Sequence, residues 1–194
     1  MKKIYWSKKT KEIIESFGFR PRLLLHSCCA PCGSYVITYL MEFCDIAVIY
    51  YNPNIHPAEE YQRRYSEQKR LLKILKIKYI DSQYCPGVFD EEIKGFETYP
   101  EGGERCLKCF NLRLSATAEA AKREGFDLFG TTLTVSPHKN ADVINALLME
   151  IGEKTGISPL LADFKKNGGY AKSIELSGKY GLYRQNYCGC RFSY

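Results

Sequence analysis

The sequence has no apolar run close to the roughly 18 residues that a membrane-spanning helix needs, although 45% of its 194 residues are hydrophobic. The first residues also lack the apolar core of a signal peptide. Repeats, low-complexity tracts and linkers rich in proline, glycine or serine are missing, so nothing marks an internal domain boundary. We therefore expect a cytoplasmic protein without membrane association, in which residues 23–194 form one domain.

Glycine-rich phosphate loops are absent too. In many α/β proteins such a loop follows the first strand and holds a phosphate at a helix N-terminus. Here the corresponding segment, residues 27–31, reads Ser-Cys-Cys-Ala-Pro. Cysteines have taken the place of the phosphate-binding glycines, which argues against nucleotide binding at this point.

Basic charge is unevenly distributed. Residues 1–22 carry seven basic and two acidic side chains, whereas the other 172 residues carry 21 basic and 20 acidic ones. This basic N-terminal extension is able to contact a phosphate backbone. A solvated, partly helical lead-in to the domain is the commoner explanation of such a charge distribution.

Apolar periodicity predicts alternating strands and helices. Strands are expected at 23–26, 45–51, 78–80, 127–133 and 157–161, and helices at 34–43, 58–76, 106–124 and 139–154. In the helix over 106–124, one apolar stripe is expected to face inward; its residues are Leu107, Phe110, Leu114, Ala118 and Ala121. This rhythm predicts a three-layer α/β fold with a parallel sheet covered by helices on both faces, followed by a cysteine-rich C-terminal segment. Such sheets carry their sites beyond the carboxyl ends of the strands.

Seven of the nine cysteines fall in three tight clusters. They are Cys28, Cys29 and Cys32 after the first strand, Cys106 and Cys109 at the start of a helix, and Cys188 and Cys190 near the end. In a reducing compartment, cysteines spaced this way are metal ligands or redox catalysts more often than structural disulfides. The two remaining cysteines, Cys44 and Cys85, are isolated, and we interpret them as bystanders.

The three clusters predict a sulfur-ligated centre. Cys28, Cys29 and Cys32 precede a helix N-terminus, which should make their thiols ionise more easily than free cysteine. Two thiolates from this cluster together with Cys106 and Cys109 suffice for zinc or for a 4Fe-4S cluster. The third cluster then adds thiols beyond four, which either hold a second metal together with Cys32 or cycle between dithiol and disulfide.

Three polar segments border these clusters, at residues 51–57, 131–138 and 183–186. Each has the composition of a substrate-binding loop and also that of an ordinary turn. His26 and His56 are candidate metal ligands or proton donors, with a structural role as the commoner alternative for both.

Taken in order, the motifs resemble those of the epoxyqueuosine reductase QueH family. The motifs are His26-Ser27-Cys28-Cys29-Ala30-Pro31-Cys32, Tyr51-Asn52-Pro53-Asn54-Ile55-His56-Pro57, Arg105-Cys106-Leu107-Lys108-Cys109-Phe110, Thr131-Thr132-Leu133 with Ser136-Pro137, and Tyr183-Arg184-Gln185-Asn186-Tyr187-Cys188-Gly189-Cys190. The resemblance covers residues 23–194 and leaves the basic extension outside the family core.

This resemblance implies a nucleotide-α-hydrolase-like (HUP) domain that is catalytic. The expected enzyme is an oxidoreductase of queuosine biosynthesis, in which two electrons and two protons convert the epoxide of epoxyqueuosine, at the wobble position of a tRNA, into the cyclopentene of queuosine. It would use a 4Fe-4S cluster and draw electrons from an external donor of the ferredoxin or flavodoxin type.

The resemblance also implies roles for individual cysteines. Cys28, Cys29, Cys106 and Cys109 would bind the cluster, and Cys188 with Cys190 would form a redox-active pair. An additional mononuclear iron is expected beside the cluster, with Cys32, Cys188 and Cys190 as candidate ligands, and these three are the expected catalytic residues.

Two other functions stay open at this point. A tRNA-modifying ATP pyrophosphatase or sulfurtransferase has a similar fold with CxxC pairs, but it needs the phosphate loop that this chain lacks. A non-enzymatic zinc module that binds RNA would leave three clustered thiols without a role.

Overall fold

A computed structural model describes residues 5–193, in which helices and strands alternate as expected. The strands are β1 (Arg22–His26), β2 (Asp45–Ile49), β3 (Lys78–Ile80), β4 (Leu128–Thr131) and β5 (Ser158–Pro159). The helices are α1 (Trp6–Glu15), α2 (Ala30–Leu40), α3 (Ala58–Leu75), α4 (Pro86–Glu92), α5 (Glu104–Arg123), α6 (Ala141–Thr155) and α7 (Gly169–Lys179), with a 3₁₀ turn at Leu133–Val135.

The five strands form one parallel sheet in the order β3-β2-β1-β4-β5. The chain moves outward from β1 to β3 and then returns to the other side of β1 with β4. The carboxyl ends of β1 and β4 therefore flank the crevice where open α/β sheets bind ligands. The first cysteine cluster follows β1 directly, so it lies at this crevice.

Helices cover both faces of the sheet, which confirms the predicted three-layer architecture. Leu24 of β1 belongs to a buried cluster with side chains of α5 and α6. Leu23 and Leu25, on the opposite face of the same strand, belong to a second cluster with α2 and α3. All three leucines are completely buried, as expected for a central strand of a parallel sheet.

Helix α5 packs on the face that its apolar stripe predicted, except at its first turn. Phe110, Leu114, Ala118 and Ala121 are buried as expected, whereas Leu107 is 36% exposed, so its predicted inward position is wrong. The buried residues of α5 also include Arg105, Cys109 and Arg113. Polar side chains therefore share the inward side of the helix with the apolar stripe.

The basic N-terminal extension contains a packed helix. In α1, Trp6 and Thr10 are buried; the Trp6 indole Nε1 donates to Asp142 Oδ1 at 2.5 Å, and the Thr10 hydroxyl donates to the Leu161 carbonyl at 2.7 Å. Lys2 and Lys3 lie outside the described residues. The division of the chain at residue 22 stays a prediction, and α1 contributes to the core of the domain.

None of the helices in residues 5–193 combines the length and hydropathy required to cross a bilayer.

Candidate metal centre and substrate cavity

The three thiols after β1 converge on one point. The Sγ atoms of Cys28, Cys29 and Cys32 all lie within 4.8 Å of one another, and within residues 5–193 no other group of three potential metal ligands is this tight. Cys29 has an extended backbone as the N-cap of α2, and the chain then turns into the helix with a proline in its first turn. Gly33 leaves room for the loop, because a Cβ there would lie 3.0 Å from the Ser27 hydroxyl oxygen and would press on it.

The three thiols do not ionise equally. Hydrogen bonds from Cys28 and Cys32 lower the pKa of Cys29 well below its usual value. The hydrogen bond to Cys29 raises the pKa of Cys28 to about 11, and hydrogen bonds to both neighbours raise that of Cys32. These hydrogen bonds favour a thiolate at Cys29 that accepts from two neighbouring thiols, and easier ionisation of all three cysteines stays a prediction.

Residues after β4 hold the first cluster from the other side of the crevice. The Cys28 amide donates to Thr132 Oγ1 at 3.1 Å, and the Thr132 hydroxyl lies 3.3 Å from Cys28 Sγ. These two contacts join the loops after β1 and β4 at the predicted edge of the sheet.

His26 has a structural role. It is fully buried, with Nδ1 3.0 Å from Thr131 Oγ1 and Nε2 3.2 Å from the Tyr51 carbonyl oxygen. Burial lowers the pKa of His26 to about 4, so the ring is neutral at pH 7. Because both ring nitrogens are hydrogen-bonded and the ring is not protonated at pH 7, His26 is not available as the proton donor or metal ligand that the sequence suggested.

The second and third cysteine clusters lie side by side. Cys109 and Cys190 are both buried in one apolar cluster, against which Cys188 packs. Burial raises the pKa of Cys109 to about 12, and the charges of Cys188 and Cys190 add to this effect. Cys106 is half-buried at the first turn of α5, where its Sγ accepts from the Gly102 amide at 3.2 Å. All nine cysteines are free thiols in the structure.

Three cationic side chains that were not predicted from the sequence surround the thiols. Arg113 is buried on the same face of α5 as Cys109, one helical turn away. Lys139 lies with its Nζ 3.8 Å from Cys188 Sγ and 3.2 Å from Glu101 Oε1. Arg64 of α3 is 2% exposed and pairs with Glu60 at 2.6 Å. For Arg64 and Arg113 the available signal was a charged residue at an inward helical position, which is uncommon unless the charge has a partner. Lys139 lies in the loop before α6, where helical periodicity gives no signal.

Helix α3 fixes the C-terminal segment that carries the third cluster. The guanidinium group of Arg64 donates to the Cys188 carbonyl at 2.9 Å, Arg70 donates to the Tyr180 carbonyl at 2.9 Å, and the Glu67 carboxylate accepts from the Tyr183 amide at 3.0 Å. Side chains on one face of α3 therefore position the C-terminal segment that contains Cys188-Gly189-Cys190, the CxC motif.

Gly189 is required between the two cysteines for two reasons. Its φ of +96° is disfavoured for residues with a Cβ, and a Cβ at this position would lie 2.7 Å from Arg64 Nη1. The Gly189 carbonyl also accepts from the His56 amide at 2.8 Å. The backbone of the CxC motif is thus packed against α3 and the loop after β2.

A cavity of about 550 Å³ opens beside the thiols, within the size range of small-molecule sites. Cys28, Cys29, Cys32 and Cys188 line it. All three polar segments predicted to border the clusters contribute residues, namely Asn52, Asn54, Ile55, Leu133, Ser136, Pro137, His138, Arg184, Gln185 and Asn186. Cys106, Cys109 and Cys190 are not among its lining residues.

The remaining predicted candidates lie elsewhere. His56 lines a separate cavity of about 110 Å³, together with Phe89 and Arg191. Cys44 is buried in the apolar core, and Cys85 precedes α4, so neither lines the main cavity. In the main cavity the histidine is His138, which is exposed and follows β4.

Known structures share this fold. The U34-tRNA thiolase NcsA from Methanococcus maripaludis, solved with its [4Fe-4S] cluster, superposes with a TM-score of 0.57 at 12% identity, over 97% of this chain and 68% of that one. NMN synthetase from Francisella tularensis gives a TM-score of 0.50 at 10% identity, over 96% and 77% of the two chains. These similarities confirm the expected nucleotide-α-hydrolase-like fold.

Sequence relatives are much closer. The family model described as epoxyqueuosine reductase QueH matches residues 23–194. An epoxyqueuosine reductase QueH from Staphylococcus epidermidis is 43% identical over 98% of this chain and 85% of its own length. The corresponding protein of Thermotoga maritima is 34% identical over 88% and 89% of the two chains. Together with the cysteine clusters gathered at the crevice of the sheet, these matches show that the chain belongs to the epoxyqueuosine reductase QueH family.

Proposed function

We propose that this protein reduces the epoxide of epoxyqueuosine in tRNA to the cyclopentene of queuosine, and that it does so in the cavity beside the cysteine clusters. The reaction consumes two electrons and two protons and releases the epoxide oxygen as water. One observation carries the proposal: thiols of the first and third clusters share a single cavity wall with all three polar segments. A redox centre and a binding site for a polar ligand are therefore adjacent.

The residues around the cavity fit a sulfur-ligated iron centre. Seven clustered thiols exceed the four that structural zinc requires. The Nη2 atom of the buried Arg113 has no hydrogen-bond partner among residues 5–193, and Lys139 lies beside Cys188. The surroundings are therefore cationic, as suits a negatively charged thiolate complex. When bound, a 4Fe-4S cluster supplies electrons one at a time.

The ligand assignment follows the family resemblance. Cys28, Cys29, Cys106 and Cys109 would hold the cluster, whereas Cys32, Cys188 and Cys190 would hold a second iron or act as a dithiol. Cys32 Sγ lies within 4.8 Å of both Cys28 and Cys29, which makes Cys32 an equal competitor for the first site. Replacing one cysteine at a time and counting the iron that remains would separate these assignments.

His138 is our candidate for the acid that protonates the departing oxygen. It lines the cavity and is exposed there, whereas His26 is buried with both nitrogens engaged and His56 lines a different cavity. General acid catalysis needs a proton donor within hydrogen-bond reach of the leaving oxygen, so the epoxide would be bound next to His138.

The substrate base would enter the cavity from a single-stranded loop. RNA-binding proteins commonly splay such bases out and stack them on aromatic or arginine side chains. Tyr170, Tyr187 and Arg184 line the cavity and offer such surfaces. Because the substrate is tRNA, we also propose a cytoplasmic location, with an external one-electron donor of the ferredoxin or flavodoxin type.

Neither alternative function is favoured. The loop after β1 presents three cysteines where a pyrophosphatase would bind phosphates, and the matched relatives carry the name of the reductase. A zinc module would have no use for the thiols beyond four.

The experiment that tests the proposal starts from protein purified without oxygen. Iron and sulfide are counted, absorption and EPR spectra are recorded before and after dithionite, and tRNA containing epoxyqueuosine is supplied. About four sulfides, a reducible spectrum and formation of queuosine are expected. A colourless protein with one zinc, or a reducible one that leaves the epoxide intact, would contradict it.

A further inference from the structure

We propose that Arg113 is the counter-ion of the cluster and raises its reduction potential by compensating the negative charge that an added electron brings. This inference rests on the proposed function, since it presupposes a redox-active cluster at the cysteines. It assigns a positioning and electrostatic role to a residue outside the cysteine motifs.

The guanidinium group of Arg113 is fixed from two sides. Its Nε donates to the Cys109 carbonyl at 3.3 Å, and its Nη1 donates to Asn52 Oδ1 at 3.0 Å. Asn52 is itself held in place, because its side-chain Nδ2 donates to the Ser27 carbonyl at 2.9 Å. Helix α5 and the loop after β2 thus hold the cation between the first and second cysteine clusters.

One edge of this guanidinium group is left without a partner. Nη2 is buried and makes no hydrogen bond within the described residues. Arg113 is only 2% exposed and lines the cavity together with Cys28 and Cys188. A buried N–H group without an acceptor is costly, so this position favours a ligand that accepts hydrogen bonds.

The charge of Arg113 also lacks a carboxylate. Arg64 pairs with Glu60 and Lys139 with Glu101, but no ion pair involves Arg113 within residues 5–193. The cavity that Arg113 lines also contains Cys28 and Cys188. A negatively charged group held by the cysteines would supply the counter-charge that this cation lacks within the described residues.

The physical consequence concerns a one-electron step. Reduction adds one electron from a donor to the thiolate-bound cluster, with no bond broken and no proton required, so the total negative charge rises by one. A fixed cation in a buried site stabilises the more negative state more than the less negative one. Hydrogen bonds to cluster sulfurs act in the same direction on the potential.

The test is an EPR-monitored potentiometric titration of the full-length protein with its cluster, using dithionite as reductant. For Arg113→Gln, we expect the equilibrium constant of reduction to fall at least tenfold, which equals a midpoint potential lower by about 59 mV. For Arg113→Lys, which keeps the charge, we expect a change below threefold. Arg22→Gln is the matched control: Arg22 is exposed at the opposite end of β1, and its variant should titrate like wild type.

Each outcome decides the proposal. A midpoint potential of Arg113→Gln equal to that of wild type overturns the role of Arg113 and leaves the proposed reductase intact. If Arg113→Gln binds no cluster, the lysine variant decides: a wild-type potential supports charge compensation, and a missing cluster overturns it. A wild-type protein without a reducible cluster overturns the proposed function and this inference together.

Discussion

Replacing Gly189 by alanine should release the CxC motif from α3 without touching a thiol. The new Cβ would lie 2.7 Å from Arg64 Nη1 and 3.2 Å from Ile55 Cγ1. To relieve this steric clash, the guanidinium group of Arg64 must move away from the Cys188 carbonyl, to which it donates at 2.9 Å. A hydrogen bond to a charged group contributes about 1.5–3 kcal/mol, and the backbone strain at φ +96° adds a further cost.

The control is Gly181→Ala in the same segment. Gly181 also has a positive φ, +57°, but a Cβ there would meet no atom within 4 Å. Both variants therefore carry backbone strain, and only Gly189→Ala carries the clash with Arg64. The difference of about 1.5 kcal/mol or more corresponds to at least a tenfold difference in local opening.

The assay is alkylation of Cys190 in the reduced protein without metal, resolved from the other cysteines by peptide mass spectrometry. Cys190 is buried, so its alkylation rate reports the open population of the segment. We expect Gly189→Ala to react at least ten times faster than Gly181→Ala. Equal rates in the two variants would refute the idea that Arg64 holds the motif.

Three further predictions address the cysteines, the acid and the N-terminal extension. Cys188→Ser should retain the iron–sulfur cluster and lose turnover, whereas Cys106→Ser should lose the iron–sulfur cluster itself. Iron counts and queuosine formation distinguish the two variants. Full activity of Cys188→Ser would show that the third cysteine cluster has no part in the mechanism. His138→Gln should lower turnover by about 10²-fold or more with unchanged iron content and tRNA affinity, and an unchanged rate would exclude it as the acid. Deleting residues 2–11 would remove buried side chains of α1, so the exposed lysines Lys8, Lys9 and Lys11 should be changed to glutamine instead. The salt dependence of tRNA binding should stay the same, because α1 is used in packing. If the slope of log K against log salt concentration fell by about two units, these lysines would contact phosphates.

The sheet was predictable from the sequence because its strands are short apolar runs. Leu23, Leu24 and Leu25 are completely buried, so their identity is dictated by the core rather than by function. Helix α7 was missed because its buried face consists of Gly169, Ser173 and Ser177, which show no apolar periodicity. A Cβ at Gly169 would overlap the Phe164 carbonyl oxygen, so close backbone packing replaces side-chain burial there.

The composition of the site was predictable, and its electrostatics were not. Cysteine spacing indicated a shared centre, and the polar segments that border the clusters do line the cavity. The unequal ionisation of Cys28 and Cys29 depends on an Sγ–Sγ distance of 3.9 Å, which no spacing along the chain specifies. The burial of Arg113 was not predictable, because apolar periodicity marks only the apolar residues on the inward side of α5.

The attachment of the CxC region to α3 has a consequence for how the centre is assembled. Cys28 and Cys188 line the same cavity, although 159 other residues separate them in the sequence. Contacts this distant close late in folding, because the entropy of a long loop must first be offset by the formation of the sheet. We therefore expect a cofactor shared by the first and third clusters to bind after the sheet has formed, which requires the metal-free protein to persist in its folded state until the cofactor arrives.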